Sequence, residues 1–240
     1  MATSVTYDFT GAVILVSGGA SGIGAATARA CAERGAKVVV ADVADAAVPG
    51  IDAQRVDVAD PAAVKQLVEH IERVYGRLDA AVLGAAIQLR MPTEAISDAE
   101  WRRHLAINLD GVFHCLREII PIMKRQRSGA IVTFTSGLVN TGWPGASAYA
   151  ASKGAIIGLT RCVAQELRPF GVRANALVPG VTATPIFLDA STAAERAMYE
   201  GSIGISTPED AAATVLYLIS DASANLTGAV IERRLVPPRG

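Results

Sequence analysis

The 240-residue sequence predicts a doubly wound α/β fold, a parallel sheet of about seven strands flanked by helices. Apolar runs of strand length alternate with stretches of helical periodicity along the whole chain. The clearest unit is an apolar run over residues 12–17, a glycine turn, a helical stretch over 22–34 and a second apolar run over 37–42, which is typical of a βαβ unit. Because this length suits one sizeable core, we expect a single domain over residues 1–240.

The remaining elements continue the alternation. Further strands are predicted over residues 54–58, 78–84, 130–135, 173–178 and 229–231. Further helices are predicted over residues 60–75, 100–127, 149–170 and 208–220. Asp60 should cap the helix that follows it, and Pro121 should kink the long helix or end a segment of it. Residues 188–206 are predicted to be irregular or weakly helical, and we expect the segment 184–206 to form a lid over a substrate site.

Composition excludes several functional classes. Hydrophobic residues make up 51% of the chain, charged residues 19%, and the net charge is -1, which argues against disorder and against a nucleic-acid-binding surface. No apolar run approaches the ~20 residues of a membrane span, and residues 1–9 lack a secretory signal. We therefore expect a cytoplasmic protein without a membrane partner. Cys31, Cys115 and Cys162 lack metal-ligand spacing, which predicts reduced core thiols and no metal site.

The first turn predicts a dinucleotide site. Residues 17–24 read Ser-Gly-Gly-Ala-Ser-Gly-Ile-Gly, a pattern that lets backbone approach a pyrophosphate at a helix N-terminus; no Gly-Lys-Ser/Thr follows, so it is not a P-loop. Asp42 closes the second strand 18 residues after Gly24, where a carboxylate can accept hydrogen bonds from a ribose diol. Its charge repels a 2′-phosphate, and no Arg or Lys stands in the turn or at positions 43 and 44. We therefore expect NAD rather than NADP.

Small or polar residues mark the carboxyl ends of four predicted strands, namely Gly18, Gly84, Ser136 and Pro179. In a doubly wound sheet these ends meet at one edge, where ligands bind. Tyr149 begins the predicted helix after Ser136. The candidate chemistry should therefore share one crevice with the dinucleotide.

Tyr149 and Lys153 are four residues apart and fall on one face of a helix. A free phenol has a pKa of about 10, so acid/base work near neutrality needs about 4 kcal/mol of stabilisation of its anion. One ammonium about 4 Å away contributes roughly that amount at an effective dielectric constant of about 20. The spacing predicts that Lys153 lowers the pKa of Tyr149, although an isolated Tyr-x-x-x-Lys is far more often an ordinary turn of a surface helix, so the rest of the chain must support this interpretation.

Taken together and in order, these motifs resemble those of the short-chain dehydrogenase/reductase family over nearly the whole chain. Ser17-Gly18-x-x-x-Gly22-x-Gly24 resembles the family's cofactor turn, Asp57-Val58 its adenine-contacting pair, and residues 179–184 (Pro-Gly-Val-Thr-Ala-Thr) its nicotinamide-binding turn. The resemblance implies a Rossmann-type fold and a cofactor site formed by Gly18, Ser21, Gly22, Ile23, Gly24, Asp42, Asp57, Val58, Gly84, Tyr149, Lys153, Pro179, Gly180, Thr182 and Thr184.

The resemblance also implies a catalytic tetrad of Asn108, Ser136, Tyr149 and Lys153, with Ser136 standing 13 residues before the tyrosine. The implied reaction is hydride transfer between NAD(H) and a secondary alcohol or ketone. In it Tyr149 transfers the proton, Ser136 orients the substrate oxygen, and Asn108 supports a water that relays protons outward. Enoyl reduction by the family's divergent branch is disfavoured, because the seventh residue after Tyr149 is Ile156 rather than lysine.

Two stretches depart from the family pattern. Leu83-Gly84-Ala85-Ala86 replaces the usual Asn-Asn-Ala-Gly, and the cationic tail 232–240 replaces the usual Val-Asp-Gly-Gly close. Family members often assemble as tetramers partly through the second region, so we expect a homo-oligomer, a tetramer or a dimer. The two departures leave open a non-catalytic NAD-binding sensor on the same fold.

The expected substrate walls are mostly apolar and favour a hydrophobic or cyclic alcohol. They comprise Leu89, Met91, Leu138, Val139, Trp143, Ile186, Phe187 and Leu188. The same residues could instead simply pack the lid against the core. Arg90 could meet an anionic substrate or remain in solvent.

Overall fold

The computed structural model describes residues 5–45 and 50–234, in which seven strands form one parallel sheet. The strands are β1 (Val13–Ser17), β2 (Lys37–Asp42), β3 (Asp52–Arg55), β4 (Ala80–Leu83), β5 (Gly129–Phe134), β6 (Val172–Val178) and β7 (Val230–Glu232). Their order across the sheet is β3-β2-β1-β4-β5-β6-β7, and all neighbours are parallel. This architecture confirms the predicted doubly wound α/β class.

Helices connect the strands and cover the sheet. They are α1 (Gly22–Ala32), α2 (Pro61–Tyr75), α3 (Asp98–Leu105), α4 (Gly111–Gln126), α5 (Leu138–Thr141), α6 (Ser147–Leu167), α7 (Pro185–Ala190), α8 (Ala193–Glu200) and α9 (Pro208–Ile219). The chain builds outward from β1 to β3 and then returns to place β4 on the other side of β1. The carboxyl ends of β1 and β4 therefore flank a topological switch point, where ligands bind in such sheets.

Both faces of the sheet are buried. In β1, Val13 and Leu15 pack with α2, α4 and α6, whereas Ile14 and Val16 pack with α1 and α9. Because successive side chains of a strand point to opposite faces, a strand covered on both sides must be apolar throughout. This explains the continuous apolar runs of the sequence.

The third strand lies earlier than predicted. β3 spans Asp52–Arg55 rather than residues 54–58, so the prediction was wrong for residues 56–58. Asp57 instead begins a turn: its carbonyl accepts from Asp60 N at 3.0 Å and its Oδ1 accepts from Ala59 N at 2.9 Å. Asp60 caps α2 as predicted, accepting from Ala62 N at 2.8 Å. The turn places Asp57 and Val58 beyond the strand end.

The long helical region is divided differently from the prediction. It begins at Asp98, behind a Ser97–Glu100 capping box, and a π-helical turn at Ala106–Asp110 separates α3 from α4. The expectation that Pro121 could end a segment was wrong, because α4 continues through it to Gln126. A helical proline costs about 3 kcal/mol. Burial of neighbouring side chains, which are Ile119, Ile122 and Met123, contributes roughly 1.5–3 kcal/mol each and outweighs that cost.

The segment 184–206 is more helical than predicted, since it contains α7 and α8. The Thr184 side chain accepts from Phe187 N, and Pro185 occupies the first turn of α7. A Thr192–Glu195 capping box begins α8. These caps satisfy some of the orphan N–H groups at the starts of two short helices.

Cys31 and Cys115 are buried, but Cys162 is exposed. The prediction of a core thiol was therefore wrong for Cys162, because α6 turns Val163 and Ala164 toward the sheet and the preceding position outward. Within the described residues, none of the helices combines the length and the apolar character required to cross a bilayer.

Candidate active site

A cleft of about 1290 Å³ runs along the carboxyl edge of the sheet. The structure places every residue of the predicted cofactor site on its wall, from the glycine turn after β1 to the turn after β6. Residues after the other strand ends, including Gly84 and Ser136, line it too. The parallel topology therefore gathers motifs that lie as far apart in the sequence as residues 18–24 and 179–184.

The glycine turn is formed by close approach of backbone segments. Gly18 has φ +71°, and a Cβ on it would lie 2.7 Å from Ala85 N. A Cβ on Gly24 would lie 2.0 Å from Gly18 O. At the start of α1, Ser21 makes no side-chain cap hydrogen bond within the described ranges. The first N–H groups of α1 remain available to the cleft, a donor arrangement that fits a pyrophosphate.

Asp42 ends β2 beside this turn. Its Oδ2 accepts from Ala20 N and its Oδ1 from Ala44 N, both at 3.0 Å. These bonds hold the carboxylate in place, while each oxygen keeps a further lone pair. A ribose diol fits this acceptor, with the Asp57-Val58 pair farther along the same wall.

Tyr149, Lys153 and Ser136 meet in the cleft. Tyr149 and Lys153 are one turn apart on α6, and Lys153 Nζ lies 5.9 Å from the centroid of the Tyr149 ring. Ser136 and Tyr149 both line the cleft, and the Ser136 side chain is placed to act on the phenol of Tyr149. Thr135 Oγ1 donates to the Lys153 carbonyl at 2.8 Å, which ties α6 to the end of β5. The structure therefore brings together three of the four predicted catalytic residues.

Burial dominates the protonation of this pair. It raises the pKa of Tyr149 to about 12, although the Ser136 side chain acts in the opposite direction. Burial also lowers the pKa of Lys153 to about 8. The expectation that Lys153 alone would lower the pKa of Tyr149 was therefore wrong, since desolvation destabilises both the phenolate and the ammonium. Without a further positive charge, Tyr149 is a neutral phenol and a proton donor.

Asn108 lies behind the cleft wall, in the π-helical turn, and is fully buried. Its Oδ1 accepts from Ile87 N at 2.8 Å, and its Nδ2 donates to Ile87 O at 2.9 Å and Ser152 Oγ at 3.1 Å. Ile87 itself lines the cleft. Asn108 thus fixes the segment that follows β4 to the helix that carries Tyr149.

The expected substrate walls divide into two groups. Leu138, Trp143, Ile186 and Phe187 line the cleft as expected. The other four lie outside it, and these are Leu89, Met91, Val139 and Leu188. Leu89 and Met91 line a separate cavity of about 10 Å³, because Leu89 N donates to the buried His104 at 3.1 Å and turns this segment away.

The sequence did not predict a group of polar contacts at the cleft, formed by two cleft residues and Glu195. Arg90 Nη1 donates to Glu195 Oε1 at 2.6 Å, and Trp143 Nε1 donates to the same oxygen at 3.0 Å. The Arg90 guanidinium also lies 5.6 Å from the centroid of the Trp143 ring. We call Arg90, Trp143 and Glu195 the lid latch, since they join α8 to two loops at the sheet edge. The capping box was the only sequence signal near Glu195, and it gives no information about distant partners.

The exit of β7 was missed as well. Glu232, Arg233 and Arg234 line the cleft, although the sequence suggested a role for this region only in assembly. Ser206 lies on the same wall, bridged to Thr182. The sequence departs from the family pattern in this region, but that departure does not indicate that the region lines the cleft. Residues 235–240 of the tail lie outside the described ranges.

Comparisons with known proteins agree with this geometry. A family model described as Enoyl-(Acyl carrier protein) reductase matches residues 18–232. The chain is 36% identical over 234 residues to 3-oxoacyl-(acyl-carrier-protein) reductase FabG of Thermotoga maritima, covering 92% of this chain and 95% of that protein. It is 37% identical over 232 residues to cis-4-hydroxycyclohexanecarboxylate dehydrogenase of Sinomonas cyclohexanicum, covering 91% and 93%.

The structure is also similar to that of levodione reductase, with a TM-score of 0.87, 32% sequence identity and coverage of 94% of this chain and 97% of that one. The matches to the two relatives cover more than nine-tenths of each chain. The chain belongs to the short-chain dehydrogenase/reductase family.

Proposed function

We propose that this oxidoreductase is an NAD-dependent dehydrogenase that interconverts a secondary alcohol and the corresponding ketone. The observation that carries the proposal is the meeting of Tyr149, Lys153 and Ser136 in the cleft that also contains the glycine turn and Asp42. A proton-transfer group and a dinucleotide site are then parts of one cavity. Hydride transfer to or from a carbon that bears oxygen requires both.

The residues on the cleft wall fit NAD. The start of α1 would receive the pyrophosphate, Asp42 a ribose, Asp57 and Val58 the adenine, and the turn 179–184 the nicotinamide. When bound, NAD would accept or donate the hydride at its nicotinamide ring. The carboxylate of Asp42 would repel the 2′-phosphate of NADP, which is why we propose NAD rather than NADP.

The protein's own residues would handle the proton. Ser136 donates a hydrogen bond to the substrate oxygen and fixes its orientation. Tyr149 returns a proton to the ketone oxygen in one direction and accepts the alcohol proton in the other. For the second task its pKa must fall from about 12, and the positive charges of Lys153 and of the oxidised cofactor would supply that shift. Asn108 keeps Ile87 and α6 in register around this site.

The substrate that fits best is a hydrophobic or cyclic alcohol. Leu138, Trp143, Ile186 and Phe187 present mainly apolar surface to the cleft. The names of two similar proteins, a hydroxycyclohexanecarboxylate dehydrogenase and levodione reductase, support a ring-shaped substrate. We further propose that the chain works as a cytoplasmic homo-oligomer.

A non-catalytic NAD-binding sensor is the second candidate function. It is favoured by the segment Leu83-Gly84-Ala85-Ala86, which lacks the asparagine side chains usual in the family. Against it, the backbone at Gly84 still bonds to β1, with Gly84 N donating to Ser17 O at 3.0 Å. A sensor also has no need of a phenol held beside a buried lysine.

The test combines NAD⁺ with a panel of cyclic and acyclic secondary alcohols and follows NADH absorbance. Tyr149→Phe should lower kcat by about 10² or more, because the proton acceptor is removed, and should leave the Kd for NAD⁺ nearly unchanged. Tyr217→Phe, which removes a hydroxyl outside the cleft, is the matched control and should behave as wild type. Wild-type turnover in Tyr149→Phe would exclude the assignment. NAD⁺ binding without turnover of any alcohol would favour the sensor.

A further inference from the structure

The first residue beyond β7 reaches back to the turn that follows β6. Arg233 N donates to Val178 O at 3.0 Å, which continues the pairing of the two strands by one residue. Arg233 Nη1 then donates to Pro179 O at 2.7 Å. A Cβ on Gly180, whose φ is +73°, would lie 3.0 Å from Arg233 O. Backbone and side chain of Arg233 therefore both contact the start of the turn 179–184.

Ser206 holds the other side of the same turn. Its Oγ lies 3.0 Å from Thr182 Oγ1 and donates to Val181 O at 3.1 Å. Arg233 Nη1 also reaches this Oγ, at 3.5 Å. The turn is thus held between the exit of β7 and Ser206, which lies two positions before α9. Arg233 is the cation that links the two contacts.

The charge of Arg233 is directed at carbonyl and hydroxyl oxygens. Within the described part of the chain, no carboxylate lies within 4.0 Å of its guanidinium. A hydrogen bond from a cation to a carbonyl is stronger than one between neutral groups, so the Pro179 contact restrains the turn more than an ordinary bond would. The next residue differs sharply: the Arg234 side chain is 81% exposed and pairs only with Glu232 among the described residues.

We propose that Arg233 is a positioning residue for the cofactor, holding the turn 179–184 in the shape that receives the nicotinamide end of NAD. This inference rests on the proposed function. In this chain an arginine side chain from the β7 exit supports that end of the cleft, and it belongs to the stretch 232–240 that replaces the family's usual close. Among the described residues, the Arg233 side chain forms no hydrogen bond to the glycine turn or to Asp42, so its effect should be larger on the nicotinamide half of the dinucleotide than on the adenosine half.

The test compares NAD⁺ with ADP-ribose, which has the same pyrophosphate and adenosine but lacks nicotinamide. Calorimetric titration of Arg233→Met should show a Kd for NAD⁺ raised about tenfold, with the Kd for ADP-ribose within about twofold of wild type. Arg233→Lys keeps a cationic donor for Pro179 O and should recover most of the NAD⁺ affinity. Arg161→Met removes an exposed cation that lies outside the cleft and should change neither Kd.

Several results would overturn the inference. Equal weakening of both ligands in Arg233→Met would show a general structural role, and an unchanged Kd for NAD⁺ would show none. If Arg233→Met does not fold, Ser206→Ala and Arg233→Lys decide the question, since Ser206→Ala should give the same loss confined to NAD⁺. A wild-type protein that binds neither ligand would refute the proposed cofactor itself, a result distinct from any behaviour of the variants.

Discussion

The glycine turn and the segment 184–206, which we expect to act as a lid, both form walls of the same cleft, but they are held by different kinds of contact. The turn depends on the close approach of backbone atoms, as in the approach of Gly24 to Gly18 O and of Gly18 to Ala85 N. The segment 184–206 depends on contacts between side chains that are distant in sequence. Arg90 and Glu195 are 105 positions apart, and Trp143 and Glu195 are 52 positions apart. The glycine turn has no room for an added Cβ at Gly18 or Gly24, whereas the segment 184–206 is held by the few polar contacts of the lid latch. Changes in the two walls should therefore have different consequences.

The largest effect should come from the glycine turn. Gly24→Ala places a Cβ 2.0 Å from a backbone oxygen, so the turn must move. We expect the Kd for NAD⁺ to rise about 10²-fold or more, since displacement of a binding group by about 1 Å has effects of that size. Overpacking should also lower the free energy of unfolding by about 1–3 kcal/mol. Titration with NAD⁺ and urea unfolding measure the two quantities.

Gly158→Ala is the matched control for this change. Gly158 lies inside α6, and no described heavy atom counted as a neighbour lies within 4 Å of its would-be Cβ. This change should stabilise the protein by about 0.5–1 kcal/mol, because alanine favours the helix, and should leave NAD⁺ binding unaltered. If Gly24→Ala binds NAD⁺ with wild-type affinity, the glycine turn can accommodate the added Cβ. That result would contradict the proposed difference between the two walls.

An intermediate effect is expected at the lid latch. Glu195→Gln removes the charge that pairs with Arg90, whose side chain is only 20% exposed. Hydrogen bonds to charged groups contribute about 1.5–3 kcal/mol, so KM for the alcohol should rise about tenfold or more. The Kd for NAD⁺ should stay nearly constant, because the glycine turn is built independently. Steady-state kinetics at saturating NAD⁺ and a separate NAD⁺ titration measure these values.

Glu200→Gln tests whether the effect is specific to the latch. Glu200 ends the same helix, is exposed, and forms no ion pair with another described residue. Its variant should keep the wild-type KM. A loss of NAD⁺ affinity in Glu195→Gln as large as the change in KM would mean that the two walls are mechanically coupled through Thr184, which packs beside Gly22.

The smallest effect concerns pH. The N–H of Thr192, together with the Arg90 and Trp143 hydrogen bonds, lowers the pKa of Glu195 from 4.5 to about 2. A lowered folded pKa means that the stabilisation is complete above pH 4.5 and is lost as pH falls through about 2. The difference in unfolding free energy between wild type and Glu195→Gln should therefore be constant at higher pH and shrink between pH 4.5 and 2. Urea unfolding at several pH values measures it; a gap that closes above pH 5 would contradict the assigned cause.

Much of the architecture and the placement of the candidate site could be predicted from the sequence. The fold class followed from strand-length apolar runs, and the glycine turn, Asp42, Ser136, Tyr149 and Lys153 followed from short spacings. The ends of helices and strands were less predictable where opposing contributions to the folding free energy were close in size. Burial of the residues around Pro121 carried α4 through a proline, and the turn at Asp57 ended β3 early. The catalytic and cofactor assignments, NAD preference and assembly remain predictions.

The pKa of Tyr149 shows where local reasoning was insufficient. The pair of residues on α6 predicted a Coulombic stabilisation of the phenolate, and the distance between them is consistent with such an interaction. Desolvation has the opposite sign and depends on everything that packs around the helix. Only the folded chain reveals its size, and it raises the pKa to about 12.

By itself, the sequence determined the alternation of elements, the close-packed glycine turn and the Tyr149–Lys153 face, because each depends on residues within a few turns of one another. Only the tertiary structure determined how deeply that face is buried and which side chains form the lid latch. It also determined that Arg233 contacts the turn after β6. Those outcomes depend on contacts between segments that are distant in sequence, and such contacts exist only once the whole sheet has been assembled.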